Sequence, residues 1–287
     1  MILQNYHTHC NLCDGKDTLK DIVEKGIELN IKVLGFSSHS PLPFKQDWVL
    51  SKENLQIYLN ELEKLKNNYL NKISIKKGLE VDYIPNSLSP EKVKNDYKLD
   101  YVIGSIHFVE FDINNPITVD SSFEDFKILL KNYYKNNIKN LIEDYLNRIS
   151  QMCKNNKIDI IGHFDLFKKN NRKNIFFNQN DNWYIDLIEE TLKKIKKYSY
   201  YKNNVLLPLF EINTGGMARK YLNEPYPSYK ILKLLNKYGF SIIINTDCHD
   251  KNYLLYFYKE SIEIAKEAGF KHICSLDENN NWININL

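Results

Sequence analysis

Short apolar runs alternate with longer amphipathic stretches along the whole chain. The short runs are rich in β-branched residues and predict strands, whereas the longer stretches repeat their apolar residues at helical spacing. The predicted strands are 2–6, 33–37, 73–80, 101–106, 158–162, 207–212 and 241–245, with a weaker one at 272–276. The predicted helices are 19–29, 52–69, 123–134, 140–153, 183–198, 229–238 and 253–268. This alternation indicates βαβ units and a parallel sheet, so the predicted class is α/β.

The domain organisation follows from what interrupts this pattern. The chain contains no repeat, no Gly/Ser-rich linker and no break in composition, so we expect residues 1–287 to form one domain. No glycine-rich phosphate loop occurs: G-x-G-x-x-G does not follow the first strand, and G-x-x-x-x-G-K-[ST] is absent. These absences argue against a dinucleotide site and a P-loop.

Composition narrows the class of partner. Hydrophobic residues make up 43% and charged residues 26%, as in ordinary globular proteins, and the net charge of +3 is too small to predict a nucleic-acid partner. Only three of the basic residues are arginines, so Arg148, Arg172 and Arg219 merit individual attention. No signal peptide or membrane-spanning apolar run is recognisable, and five cysteines do not suggest a disulfide framework. We therefore expect a cytoplasmic protein without a membrane partner; the sequence does not predict its oligomeric state.

Histidine placement is the strongest chemical signal. Six of the seven histidines follow predicted strands, and the seventh is His272; the six are His7, His9, His39, His107, His163 and His249. Glu80 closes the third predicted strand, and Asp247 lies two residues before His249. In a parallel barrel all strand carboxyl ends open onto one face, where about one histidine in seven would fall by chance. These side chains are therefore predicted to meet on one rim.

The spacing of these residues predicts metal ligands. His7 and His9 alternate along the chain, as do Asp247 and His249, so each pair can point one way and chelate an ion. Imidazole and carboxylate ligands suit Zn, Fe or Mn. Eight ligands are too many for one tetrahedral ion, so two or three divalent ions are predicted, with Glu80 bridging a pair. Asp14 is a ninth candidate.

Several segments resemble the PHP (polymerase and histidinol phosphatase) superfamily, and within it the monofunctional histidinol-phosphatases. The matching segments, in chain order, are Tyr-His-Thr-His at 6–9, Cys-Asp-Gly-Lys at 13–16, Gly-Phe-Ser-Ser-His-Ser-Pro at 35–41, Lys-Gly-Leu-Glu-Val-Asp-Tyr at 77–83, Asp-Tyr-Val-Ile-Gly-Ser-Ile-His at 100–107, Ile-Gly-His-Phe-Asp-Leu at 161–166, Glu-Ile-Asn-Thr-Gly-Gly at 211–216, Asn-Glu-Pro-Tyr-Pro-Ser at 223–228 and Asn-Thr-Asp-Cys-His-Asp at 245–250. They extend across nearly the whole chain.

The resemblance implies a distorted (β/α)7 TIM-like barrel, a trinuclear metal centre, and hydrolysis of L-histidinol phosphate to L-histidinol and phosphate in histidine biosynthesis. Carried over by position, the metal ligands would be His7, His9, Asp14, His39, Glu80, His107, His163, Asp247 and His249. Two positions depart from the family pattern: Ser38 stands where an acidic residue is usual, and Cys248 where a small residue is common.

Other residues are predicted to act on the phosphoryl group and its leaving alcohol. Arg219 is the candidate phosphate clamp, since a guanidinium binds phosphate through two hydrogen bonds, and Lys169 is a possible second cation. Ser40 is a candidate substrate contact, and His249 is counted as catalytic as well as metal-binding. Asp165 would protonate the leaving alkoxide or bind the substrate's amino group. Glu211 is expected beside a ligand rather than at the reacting atoms.

Two alternative functions remain open. One is a PHP phosphoesterase that acts on nucleotides or another small phosphomonoester, which parallel turnover of different substrates would reveal. The other is a non-catalytic metal-binding module, which would show fewer than two metal equivalents and no phosphatase activity.

Overall fold

The structure, a computed structural model, describes residues 2–109 and 116–287. Its strands are β1 (Gln4–Asn5), β2 (Val33–Phe36), β3 (Ser74–Asp82), β4 (Tyr101–Ser105), β5 (Ile160–Ile161), β6 (Tyr200–Lys202), β7 (Val205–Leu207), β8 (Leu209–Asn213), β9 (Ile242–Asn245), β10 (His272–Leu276) and β11 (Trp282–Asn286). Its α-helices are α1 (Leu19–Glu28), α2 (Lys52–Asn68), α3 (Pro90–Asp96), α4 (Phe123–Tyr134), α5 (Ile138–Asn155), α6 (Asn182–Tyr198), α7 (Gly215–Ala218), α8 (Tyr229–Lys237) and α9 (Tyr258–Glu267). Short 3-10 helices lie at Leu166–Asn170, Arg172–Asn174 and Lys251–Tyr253.

A nearly closed parallel barrel forms the centre of the fold. Within the described ranges, seven strands pair in the order β1-β2-β3-β4-β5-β8-β9, and every pairing is parallel. Beyond the ends of β1 and β9, Thr8 and Cys248 form a parallel bridge. There the N–H of His9 donates to the Cys248 carbonyl at 2.8 Å, and the N–H of Cys248 donates to the His7 carbonyl at 2.9 Å. The predicted (β/α)7 barrel is confirmed, and its strand carboxyl ends share one face.

Large aromatic side chains fill the barrel interior. Tyr6 and Tyr101 are fully buried there and pack edge to face, with ring centroids 5.4 Å apart. A Cβ atom at Gly78 would lie 2.5 Å from the Tyr101 ring, so glycine is what leaves room for it. Trp282 of the antiparallel pair β10–β11 packs against Tyr6, with ring centroids 5.8 Å apart. Aromatic packing of Tyr6, Tyr101 and Trp282 therefore fills this part of the barrel.

Helix boundaries follow local chemistry. The hydroxyls of Thr18, Ser51, Ser89 and Ser122 accept hydrogen bonds from backbone N–H groups in the first turns of α1, α2, α3 and α4. None of the described helices combines the length and apolar character needed to cross a membrane.

Several elements differ from the predicted ones. The predicted strand 207–212 is divided at Pro208, which has no N–H for a sheet ladder, into the end of β7 and the start of β8. The predicted helix 253–268 begins only at Tyr258, because Phe257 adopts a left-handed conformation with φ of 54°. Helix α3 and strands β6 and β11 were not predicted, and the single-domain organisation stays a prediction.

Candidate metal centre

Glu80, near the end of β3, is the hub of the barrel rim. Five imidazole rings, supplied by the chain that follows β1, β2, β4 and β5, surround its carboxylate. Oε2 of Glu80 lies 3.0 Å from His7 Nε2, 3.0 Å from His39 Nδ1 and 3.5 Å from His9 Nε2, whereas Oε1 lies 2.9 Å from His163 Nε2 and 3.8 Å from His107 Nε2. The Ser105 hydroxyl also donates to Oε1 at 2.6 Å. This geometry suits a carboxylate that bridges cations.

Asp247, after β9, supplies a second buried carboxylate. Its Oδ1 atom lies 3.4 Å from His9 Nε2 and 3.7 Å from His7 Nε2. The same oxygen lies 3.4 Å from His249 Nδ1, and Oδ2 lies 2.9 Å from Arg219 Nη2. Asp247 therefore faces the imidazoles with one oxygen and a guanidinium with the other.

Asp14 supplies a third carboxylate from the turn after the His-Thr-His segment. Its Oδ2 atom lies 3.1 Å from His249 Nε2 and 3.8 Å from His39 Nε2, and its Oδ1 atom lies 3.6 Å from His9 Nδ1. Asp14 thus adds a third carboxylate to the imidazoles, at the more exposed side of the rim.

Three overlapping groups of these side chains have the arrangement of a metal site, with ligand atoms in each group lying within 4.8 Å of one another. The groups are His9, Asp14, His39 and His249; His7, His9 and Glu80; and His39, Glu80 and His107. His163 and Asp247 lie beside them, so the rim brings together all nine predicted ligand residues.

The donor set fits divalent cations. His9 Nε2 and His39 Nδ1 are buried and lie 3.5 and 3.0 Å from Glu80 Oε2, but neither nitrogen is in hydrogen-bonding geometry. Buried polar atoms are normally satisfied, and unpaired imidazole nitrogens beside carboxylates are the ligands that Zn, Mn or Fe accept. If every imidazole were protonated instead, several positive charges would lie close together and repel one another. The residues present therefore fit a cluster of divalent ions.

Electrostatics at the rim favour bound positive charge. Burial alone would raise the pKa of Glu80, but His7 and His39 hold it well below its ordinary range. Burial opposes protonation of His39, yet Glu80 and Asp14 raise its pKa to about 9. In the same way, burial is outweighed at His107, where Asp82 and Glu80 raise the pKa to about 10. The carboxylates stay ionised and attract cations.

Two further carboxylates hold the imidazoles from behind. Glu211, at the centre of β8, lies 2.9 Å from His7 Nδ1 and accepts the backbone N–H of His163 at 2.7 Å. Asp82 lies 3.0 Å from His107 Nδ1 and accepts the backbone N–H of the same residue at 2.8 Å. Such contacts fix the tautomer and the orientation of a metal-binding ring. Glu211 was expected beside a ligand, whereas Asp82 was not anticipated.

A cleft of about 290 Å³ opens above the cluster. Two cations line it: Arg219, whose Nη1 lies 3.1 Å from His249 Nδ1, and Lys169, whose ammonium contacts the carbonyl of Asp120. The Arg219 side chain is 36% exposed, so part of its guanidinium faces the cleft. Both predicted phosphate contacts therefore lie within the cleft.

Two predicted residues lie elsewhere. The Asp165 carboxylate is fully buried, pairs with Lys168 Nζ at 3.1 Å and accepts the N–H of Ser228 at 2.9 Å, so it has no place among the residues that line the cleft. Ser40 is likewise buried and lines a separate depression beside Leu55. Neither side chain is among the described residues that line the cleft, and the substrate roles of Asp165 and Ser40 stay predictions.

The sequence analysis assigned no role to several residues of the cleft wall. Four of them are Trp48, Asp120, Tyr221 and Tyr226. The Trp48 ring packs edge-on against His39, with centroids 4.6 Å apart. All four lie in connecting segments, where no periodicity marks a side chain as facing the site.

The barrel and its rim define a class of metal-binding (β/α) proteins, and comparison with known proteins identifies the family. The model of the PHP domain matches residues 5–203, and the chain therefore belongs to the PHP-domain family. A Schizosaccharomyces pombe protein named probable histidinol-phosphatase is 28% identical over 290 residues, covering 95% of this chain and 89% of the relative.

Two solved structures share the fold. A Listeria monocytogenes structure, titled as a putative histidinol phosphatase, has a TM-score of 0.75 and 21% identity, covering 90% of this chain and 99% of that one. A histidinol phosphate phosphatase of Lactococcus lactis, complexed with Zn, L-histidinol and phosphate, has a TM-score of 0.67 and 20% identity. That alignment covers 95% of this chain and 96% of the Lactococcus lactis chain.

Proposed function

We propose that this chain is a divalent-metal-dependent phosphomonoesterase that hydrolyses L-histidinol phosphate to L-histidinol and phosphate, a reaction of histidine biosynthesis in the cytoplasm. The observation that carries the proposal is the placement of Glu80 among five imidazoles directly beneath a cleft that contains Arg219 and Lys169. A cluster of metal ligands alone would be compatible with a metal-storage site. The adjacent positively charged side chains of Arg219 and Lys169 are suited to bind a phosphate ester.

Two or three divalent ions, Zn, Mn or Fe, are the proposed cofactors. Their proposed ligands are His7, His9, Asp14, His39, Glu80, His107, His163, Asp247 and His249. Bound divalent ions supply Lewis acidity, neutralise charge on a transferring phosphoryl group and make water a nucleophile at neutral pH. Each of His9, His39 and Glu80 belongs to two of the three ligand groups, which favours more than one ion over a single one.

The chain's own residues would orient the ester. Asp247 and His249 hold the Arg219 guanidinium at one side of the cleft, so that its remaining N–H groups can bind phosphate oxygens. Lys169, 19% exposed, would offer a second positive charge from the opposite loop. His249 would act with Arg219 at the phosphoryl group. Rigid donors of this kind stabilise charge that develops in the transition state.

The choice of substrate rests on the relatives. The named histidinol-phosphatases match across most of their length, and the Lactococcus lactis structure holds L-histidinol and phosphate together with Zn. Every residue type that the family pattern requires for metal binding is present at the rim of this chain. This favours an active phosphatase over a non-catalytic module.

A substrate panel tests the proposal. The purified chain is loaded separately with Zn, Mn or Fe, and phosphate release is measured from L-histidinol phosphate, a nucleoside monophosphate and a short single-stranded DNA. We expect L-histidinol phosphate to have the highest kcat/KM and chelation to abolish turnover. Preferred turnover of the nucleotide or DNA would overturn the substrate assignment. Absence of turnover with every metal would overturn the proposal that the chain is an enzyme.

A further inference from the structure

Asp120 has a charge that the phosphate cleft does not explain. The described lining of the cleft contains four carboxylates: Asp14, Glu80, Asp120 and Asp247. Three of these each have an oxygen 3.0 to 3.4 Å from an imidazole nitrogen of the metal centre, whereas Asp120 lies beside Lys169, whose ammonium is 3.6 Å from its Oδ2 atom. A negative charge at this place repels a phosphate dianion, and a favourable contact with another part of the substrate would offset that cost.

The contacts of Asp120 leave its carboxylate able to accept another partner. The Lys169 ammonium is anchored mainly on the Asp120 backbone carbonyl and lies 3.6 Å from Oδ2, longer than a hydrogen bond. The Lys169 ammonium also lies 4.7 Å from the centre of the Tyr221 ring. Asp120 also has a side-chain hydrogen bond with Thr118, but a carboxylate has about four acceptor positions, so these two partners do not fill them. The Asp120 side chain is 30% exposed and therefore accessible to a ligand.

Asp120 lies where the cleft adjoins a second depression. Asp120, Lys169 and Tyr221 line both the cleft and an adjoining depression of about 760 Å³, whose other walls include Phe123 and Ile175. An ester held by Arg219 above the metal ligands can extend past Asp120 into this depression. The alcohol part of the ester would then contact the Asp120 carboxylate and, farther from the phosphate, the apolar side chains of Phe123 and Ile175.

We propose that Asp120 is the specificity-determining residue of the cleft and binds a positively charged ammonium group on the leaving alcohol of the substrate. This deepens, and rests on, the proposed function: L-histidinol phosphate carries an amino group on the carbon next to its ester-bearing carbon. An ammonium ion satisfies the carboxylate and offsets its repulsion toward the phosphate. Esters with neutral or anionic alcohols lack this contact.

The test compares two esters that differ only in the ammonium group. They are L-histidinol phosphate and the phosphate ester of 3-(imidazol-4-yl)propan-1-ol, which has hydrogen in place of the amino group. In the wild-type chain we expect loss of the amino group to lower kcat/KM about 10- to 100-fold, the usual effect of a hydrogen bond to a charged group. In Asp120→Asn the same change of substrate is expected to cost less than about threefold.

Control variants distinguish two roles of Asp120: binding the ammonium group of the substrate and positioning Lys169. If Asp120 acts only by holding Lys169, Asp120→Asn lowers turnover of both esters by one factor and leaves their ratio unchanged, and the proposal is overturned. Asp120→Glu keeps the charge and is expected to retain part of the discrimination. Asp186→Asn, an exposed position on α6, removes a matching charge elsewhere and should behave as wild type.

The outcomes also distinguish this inference from the proposed function. Wild-type turnover of L-histidinol phosphate with equal discrimination in wild type and Asp120→Asn overturns the role of Asp120 alone. If the wild-type chain hydrolyses neither ester, the proposed function fails and this inference fails with it. If Asp120→Asn is unfolded by circular dichroism, the same comparison is made with Asp120→Ser, and an unchanged ratio there is equally decisive.

Discussion

Nδ1 of His7 lies 2.9 Å from Oε2 of Glu211, while Nε2 of the same ring lies 3.0 Å from Glu80. Glu211 is buried and also accepts hydrogen bonds from the N–H of His163 and from two asparagine amides. One carboxylate at the centre of the barrel thus fixes two of the predicted metal ligands. Burial opposes its ionisation, but His7 lowers the pKa of Glu211.

Replacing Glu211 by Gln is expected to weaken metal binding. The amide keeps the shape but loses the charge that favours the Nδ1–H form of His7, and partners of this kind typically affect metal affinity or activity 10- to 100-fold. The measurement is metal content after dialysis against a graded chelator. Glu190→Gln, which alters an exposed carboxylate on α6, is the matched control. Unchanged metal retention in Glu211→Gln would contradict this role.

Replacing Arg219 by Ala is expected to lower kcat/KM for the proposed substrate by at least tenfold. The guanidinium lies 2.9 Å from Asp247 and borders the cleft, so its loss removes a charged contact of about 2–5 kcal/mol. Steady-state kinetics and metal analysis are measured together on one preparation. Arg148→Ala on α5 is the control, since Arg148 is not part of the cleft lining. Wild-type kinetics in Arg219→Ala would remove Arg219 from the site.

Breaking the buried Asp165–Lys168 pair is expected to destabilise the fold. Both side chains are at most 1% exposed, so Lys168→Met leaves an uncompensated buried carboxylate, which typically costs 3–5 kcal/mol. The free energy of unfolding is measured by urea denaturation. The double variant Asp165→Asn with Lys168→Met should recover most of the loss, because no isolated charge remains. A single variant as stable as wild type would contradict the importance of this pair.

Removing bound metal is expected to lower the Tm of the chain. Ions that bind only the folded state stabilise it by about 4 kcal/mol at a thousand times their Kd. Thermal unfolding is followed after chelation and again after Zn or Mn is returned. The rise in Tm on re-addition should be reduced in His9→Gln, since His9 belongs to two of the three ligand groups. An identical Tm with and without metal would contradict binding at the rim.

Much of the site could be predicted because strand ends are visible in the sequence. Apolar β-branched runs mark the strands, and in a parallel barrel their carboxyl ends converge, so the histidines after five of them were expected together. The same period-two geometry explains why one predicted residue lies outside the cleft lining. His39 bridges to Glu80 as in a strand, so the next residue, Ser40, points to the opposite face and away from the cleft.

Of the remaining residues, Asp165 and Asp120 have positions that periodicity does not encode, whereas Asp82 follows it. Asp165 follows His163 by two residues, but the chain enters a 3-10 helix there and its carboxylate turns to Lys168. Asp82 follows Glu80 by two residues within β3, so strand alternation would have placed it beside the site. Asp120 precedes α4 in a polar segment that resembles an ordinary helix start. Only the folded structure shows that Asp120 faces the cleft.

Metal stoichiometry measured with turnover on the same sample tests the account most directly. The chain is loaded with Zn, Mn or Fe, freed of unbound metal and assayed for metal per chain and for phosphate release from L-histidinol phosphate. The account predicts at least two equivalents per chain and turnover that disappears on chelation and returns with metal. Fewer than two equivalents with every metal, or turnover that persists after all metal is removed, would contradict it.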